Sequence, residues 1–186
     1  MPSINGEKMK IIKLFTLLLL ISLMFGCAFS PSLQNMIPVT NQYQFSNINK
    51  TITIKMVYGG EKSDPIFKGS RIDDASYMGA LLQSLTNFNL FSKVNPSGSP
   101  DYYLDVMIIS QHQPLAGFDM KVTLLVRYTI INGKDNTQIW QKDIFSQYTA
   151  AFGDALVGAT RLNKANEGSV RENIRIFLEE ISQIKL

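Results

Sequence analysis

The sequence predicts an α+β fold: a two-layer sandwich in which a mainly antiparallel sheet of 4–5 strands carries two amphipathic helices on one face. Three observations predict it. Thr51–Tyr58 and Asp119–Ile131 alternate apolar and polar residues with a period of two, the mark of half-buried strands. Apolar residues recur at helical spacing over 74–88 and over 170–181. Between two strand-like runs, Asn132-Gly133-Lys134-Asp135-Asn136 has the chemistry of a hairpin loop. One apolar face on the sheet and one stripe on each helix are buried together only by stacking the two layers.

Each element follows from its residues. In the first strand Ile52, Ile54, Met56 and Tyr58 share a face, and Gly59-Gly60 ends it. Asp73 and Asp74 offer N-caps to a helix whose stripe is Met78, Leu81, Leu82, Leu85 and Phe88. Leu90–Asn95 is a short strand, and Pro96–Pro100 a turn. Three strands then form a meander: Tyr102–Ser110, Asp119–Ile131 and Thr137–Thr149, the last with bulk from Ile139, Trp140, Ile144, Phe145 and Tyr148. Ser169-Val-Arg-Glu172 is a capping box that opens the last helix, with Gly168 just outside. Its stripe is Val170, Ile174, Phe177, Leu178 and Ile181, and Arg175 and Glu179 form an i,i+4 ion pair off it.

Composition narrows the function classes. The 186 residues are 45% hydrophobic and 18% charged, ordinary values for one folded domain plus a targeting segment. The net charge is +3, and residues 1–26 supply most of it through Lys8, Lys10 and Lys13. The remainder is nearly neutral, so no basic field is left to steer nucleic acid and no nucleic-acid partner is expected. With Cys 1 and His 1, intrachain disulfides and Cys/His zinc sites are excluded. No metal and no cofactor is expected.

The N-terminal segment has the features of a secretory signal. Lys8–Lys13 is basic, and Leu14–Phe25 is an apolar run ending at Gly26-Cys27. At 1.5 Å per residue this run spans about 18 Å, short of a bilayer core of about 30 Å. An opening at Met9 gives MKIIKLFTLL, the more usual form of such a signal. The expected organisation is a signal peptide over 1–26, Cys27 with a tether over 27–49, and one domain over 50–186. Residues 28–49 are rich in Ser, Asn, Gln and Pro; as a coil they would reach about 26 Å. Val39–Phe45 packed as an edge strand is the alternative for part of this stretch.

Few residues point to catalysis. His112 is a conceivable catalytic base, but no nucleophile motif accompanies it, and a loop histidine is the default. Gly59-Gly60-Glu61-Lys62-Ser63 lacks the spacing of a phosphate loop. Asp73-Asp74 is explained by helix capping. No enzyme is expected. The segment 150–168 is long for a connection, apolar at its centre and punctuated by Gly153 and Gly158. Phe152, Leu156, Val157 and Arg161 are its candidate contacts for a partner or a membrane; the alternative is a short helix over 153–160 that closes one end of the core. Strand Thr51–Tyr58 is a candidate edge for strand addition.

Leu23-Met24-Phe25-Gly26-Cys27 resembles the bacterial lipobox, which places a cysteine for acylation after signal cleavage; it departs from the usual pattern at Met24 and Phe25. With the tether, the strand 51–58, the helix 74–88, the strands of 102–149 and the helix 169–184, the chain resembles in layout the small lipoproteins of the Gram-negative envelope. Two groups come closest: the lipopolysaccharide-assembly lipoprotein and the auxiliary lipoproteins of ABC-type transport systems. The resemblance implies an anchor of outer-membrane lipid at Cys27, since Ala28 rather than Asp follows it, and a periplasmic domain. It implies a non-catalytic accessory or assembly subunit with an envelope protein as partner. The rival from another class is a carrier of lipid or a small ligand in the periplasm, its helices covering an apolar pocket on the sheet.

Overall fold

The structure, a computed structural model, describes residues 12–13, 30–64 and 69–184. The signal-like run, Cys27 and Ala28 therefore lie outside the described residues, apart from Ile12 and Lys13. The strands are β1 (Thr51–Tyr58), β2 (Lys93–Val94), β3 (Tyr102–His112), β4 (Met120–Asn132) and β5 (Gln138–Ala150). The helices are α1 (Asp74–Asn87) and α2 (Gly158–Ser182). The sheet order is β2-β1-β3-β4-β5, with β3-β4-β5 an antiparallel meander and β1 parallel to both its neighbours. Both helices pack on one face, α1 against β1 and α2 against β4 and β5. The fold is α+β, as predicted.

Alternation along the meander puts one residue in two into the core. Leu104 and Val106 on β3, and Val122, Leu124, Val126, Tyr128 and Ile130 on β4, are fully buried. In β1 the alternation breaks. A bulge between Ile54 and Met56 shifts the register, so Val57 enters the core, while Met56 and Tyr58, expected inside, are exposed. Asp73 caps α1 as expected, its carboxylate accepting from the Ser76 N–H and hydroxyl.

The start of α2 corrects the sequence reading most. The helix begins at Gly158 and runs 25 residues, taking in most of the segment read as a loop or a short helix. Ser169 is no cap: it is buried, its hydroxyl donates to the Asn166 carbonyl, and its own carbonyl accepts from Ser146. Gly168 lies mid-helix because a β-carbon there would overlap the ring of Tyr148 on β5. Its lack of a side chain lets helix and sheet approach. The Arg175–Glu179 pair forms as expected, and Glu172 joins it with two bonds to the same guanidinium.

A buried polar knot locks the two layers. The Asn173 carbonyl oxygen accepts from the hydroxyls of Tyr77 (3.0 Å) and Tyr128 (2.8 Å), and its amide donates to the Ile144 carbonyl and to Ser146. One side chain thus joins α1, α2, β4 and β5. Burial pushes both tyrosine hydroxyls well above their ordinary pKa, so they stay protonated as donors. Tyr128 also stacks on Phe177, with ring centroids 4.1 Å apart.

Residues 30–49 are no free tether. Leu33–Met36 and Thr40–Gln42 form short 3-10 turns, Met36 is fully buried, and Pro31 and Pro38 are buried. Phe45 packs against Phe88, and the Ile48 N–H donates to the Leu90 carbonyl. The Val39–Phe45 edge strand does not form; the stretch is a strap across the helices. The edge of β1 is covered only at its start, where the two-residue β2 pairs with Thr51 and Ile52; beyond them β1 has a strand partner, β3, on one side.

Three outcomes follow from this packing. Asn173→Ala removes the acceptor shared by the two tyrosine hydroxyls, which keep only their bond to each other, and the donor to the Ile144 carbonyl, and is expected to cost about 2–4 kcal/mol in urea unfolding. Gly168→Ala is expected to destabilise by about 1–3 kcal/mol through overpacking, against a helix-propensity gain of about 1 kcal/mol; Tyr148→Ala in the same chain should remove most of that penalty. Asp101, which accepts from the Thr51 N–H and hydroxyl, is held below the usual carboxylate range by those bonds. It stabilises the fold above its unfolded pKa, and that stabilisation is lost as pH falls through its lower folded value. Asp101→Asn should therefore flatten the acid limb of the stability–pH curve.

Candidate functional site

One end of the sheet gathers five of the exposed apolar side chains of the described residues. The β3–β4 connection (113–119) and the β5–α2 connection (151–157) lie side by side there. They present Leu115 (90% exposed), Phe118 (78%), Phe152 (47%), Leu156 (86%) and Val157 (61%). Phe118 and Phe152 meet edge to face at 5.7 Å. Of the residues read from the sequence as candidate contacts, Phe152, Leu156 and Val157 lie on this tip. Leu115 and Phe118 were missed. They sit some 40 residues away in sequence, in a connection with no period to mark it, and only the antiparallel pairing of β3, β4 and β5 brings them together.

Arg161 departs from expectation. It is 5% exposed, because its guanidinium turns inward to hold both connections. It donates to the carbonyls of Ala155 (2.6 Å) and Leu156 (3.0 Å) in one and of Gly117 (3.2 Å) in the other. It also lies over the Phe152 ring, 5.0 Å from its centroid. Arg161 is thus a brace beneath the tip, not a contact on it. Two carboxylates complete the loops: Asp119 accepts from the Phe152 N–H and Asp154 from the Ala151 N–H.

Beside the tip the strap meets α2. Glu167 accepts from the Ser32 N–H (2.7 Å) and the Asn35 amide (2.9 Å), and Arg171 donates to the Asn35 carbonyl. One helical turn before Glu167, Lys164 donates to the Asp154 carbonyl. Asn35, Tyr148, Asp154, Lys164, Glu167 and Arg171 line an open polar cleft of about 260 Å³. Strap and tip are therefore neighbours across this cleft.

The other candidates stand apart. His112 ends β3, exposed, opposite Thr123. Among the described residues no group of three His, Cys, Asp or Glu side chains is placed to hold a metal ion. Asp73 and Asp74 serve the backbone, Asp74 accepting from the Gly60 N–H. Where a carrier would need an apolar pocket, Tyr128, Phe177, Leu124 and Leu81 fill the space between helices and sheet. No described helix is long and apolar enough to cross a membrane.

Comparisons with known proteins bear on the fold. No family model and no curated protein matches the chain. Among solved structures, a Xanthomonas campestris protein of family DUF330 aligns at 11% identity and a TM-score of 0.53, covering 84% of this chain and 98% of its own. A Chlamydia trachomatis protein aligns at 9% identity, TM-score 0.48, covering 70% of this chain and 96% of its own. The minor lipoprotein of Acinetobacter baumannii aligns at 10% identity, TM-score 0.45, covering 74% and 93%. The first match shares the fold, and identity this low carries nothing further; the other two are more distant likenesses.

Removing the brace tests this construction. Arg161→Leu leaves three loop carbonyls without their donor and is expected to cost about 1–3 kcal/mol. It should also open 113–119 and 151–157 to protease while the meander stays resistant. Equal cleavage rates for the variant and the native chain would contradict the bracing role.

Proposed function

We propose that the chain is a lipid-anchored lipoprotein of a Gram-negative envelope, acylated at Cys27, held at the periplasmic face of the outer membrane, and acting there as a non-catalytic accessory subunit for an envelope protein partner. The observation that carries this reading is the run Lys8–Cys27: a basic start, a short apolar stretch and the chain's single cysteine, three residues ahead of the first described residue of the domain. Two or three acyl chains at one cysteine make a lasting anchor, since each buried CH₂ contributes about 0.8 kcal/mol. Residue Ala28 supports the outer-membrane destination by resemblance. For a protein partner that adds a strand, β5 at the sheet margin is a second candidate edge beside the later part of β1.

Intact mass of the protein extracted from its native membrane tests the anchor. The expected mass is residues 27–186 plus acyl chains, with the acyl increment absent in Cys27→Ala. An unmodified full-length mass would overturn lipidation. Crosslinking in the same membranes tests the partner, and a chain that crosslinks to no envelope protein would overturn the accessory role.

A further inference from the structure

We propose that the apolar tip built from Leu115, Phe118, Phe152, Leu156 and Val157 rests in the surface of the membrane that holds Cys27, as a second, non-covalent contact. The proposal rests on the lipid-anchor reading for its membrane and on the following geometry for the tip.

The direction of the strap is the first observation. Ser32 and Asn35 bond to Glu167, the Asn35 carbonyl accepts from Arg171, and Tyr43 lies under the Arg175 guanidinium. The strap thus runs parallel to α2, from its middle toward its C-terminal end. Read backwards from Ser32, the chain heads toward the N-terminal end of α2, where the tip is. The second observation is length. Cys27 lies four residues before the buried Pro31, a span of at most about 14 Å when fully extended. From Glu167 to Val157 along the helix is about 15 Å. The two lengths match, so a membrane anchored at Cys27 comes within reach of the tip.

The surface itself has the required chemistry. Five apolar side chains, two of them aromatic, project together from loops, where scattered apolar exposure is the norm for a monomer. Aromatic and leucine side chains favour the bilayer interface. The brace at Arg161 and the carboxylates of Asp119 and Asp154 occupy the loops' backbone groups. A tip tied down in this way enters an interface without ordering a flexible loop first. At the opposite end of the sheet, the β4–β5 loop carries Gly133, Lys134, Asp135 and Asn136, a polar set suited to water.

The test uses the full chain with Trp140→Phe, leaving one introduced tryptophan as reporter: Leu156→Trp at the tip or Lys134→Trp at the far end. Each protein is extracted from its native membrane, checked by intact mass, and placed in phosphatidylethanolamine–phosphatidylglycerol vesicles with brominated acyl chains. The expected result is that Leu156→Trp emission moves to shorter wavelength and loses most of its intensity, while Lys134→Trp does neither. Acylated, vesicle-bound protein whose Leu156→Trp stays unquenched overturns the proposal and leaves the lipid anchor standing; the tip would then be a protein-docking surface. If the mass shows no acyl chain, the lipoprotein reading fails separately. Quenching of Leu156→Trp in the membrane-bound full-length chain would still support the tip contact, and its absence would still overturn it.

Discussion

The carboxamide of Asn173 sets how the two layers of this protein meet. It is fully buried, and its oxygen and nitrogen are engaged by groups from α1, β4 and β5. Once that knot is tied, α2 can lie on the sheet in only one register, and Gly168 lets it lie close. The rest of the domain is arranged along the same helix. Arg161 in its first turn braces the tip, Glu167 and Arg171 in its middle hold the strap, and the Arg175 guanidinium further on covers Tyr43. A buried polar cluster of this kind is costly unless every group is paired, which makes it a strong discriminator between the native stacking and any shifted one.

The meander and both helix stripes were legible in the sequence because burial imposes a period. Val122 to Ile130 on β4 and Val170 to Ile181 on α2 follow their patterns without a break. The start of α2 was not legible, because Gly158, Gly168 and the Ser169–Glu172 capping pattern imitate a boundary. Tertiary packing overrode that local signal: Arg161, Asn163, Asn166 and Glu167 are buried polar residues on a helix wrapped by the sheet and the strap. The bulge in β1 was hidden for a similar reason, since a one-residue shift leaves no mark in an alternating run. The parallel placement of β1 beside β3 depends on the crossover through α1, which composition does not encode.

The strap changes the physical picture of the anchor most. A coil over 28–49 would let the domain roam about 26 Å from its attachment. Packing from Pro31 onward puts only three residues of sequence, Ala28, Phe29 and Ser30, between Cys27 and the strap. Met36, fully buried, and Phe45, against Phe88, give the strap its apolar grip, and Glu167 gives it a polar one. Under the proposed anchor, so short a tie turns one face of the domain toward the membrane, and the proposed face is the end of the sheet where Phe118 and Phe152 meet. In that proposed pose the β5 margin of the sheet is left for a neighbour in the same membrane.

Amide hydrogen exchange across residues 31–48 of the full chain, extracted from its native membrane, tests this packing most directly. A strap predicts slow exchange at Ser32 and Ile48, whose N–H groups donate to Glu167 and Leu90. Exchange at free-coil rates throughout 31–48, with α2 still protected, would contradict it and return the segment to a flexible tether.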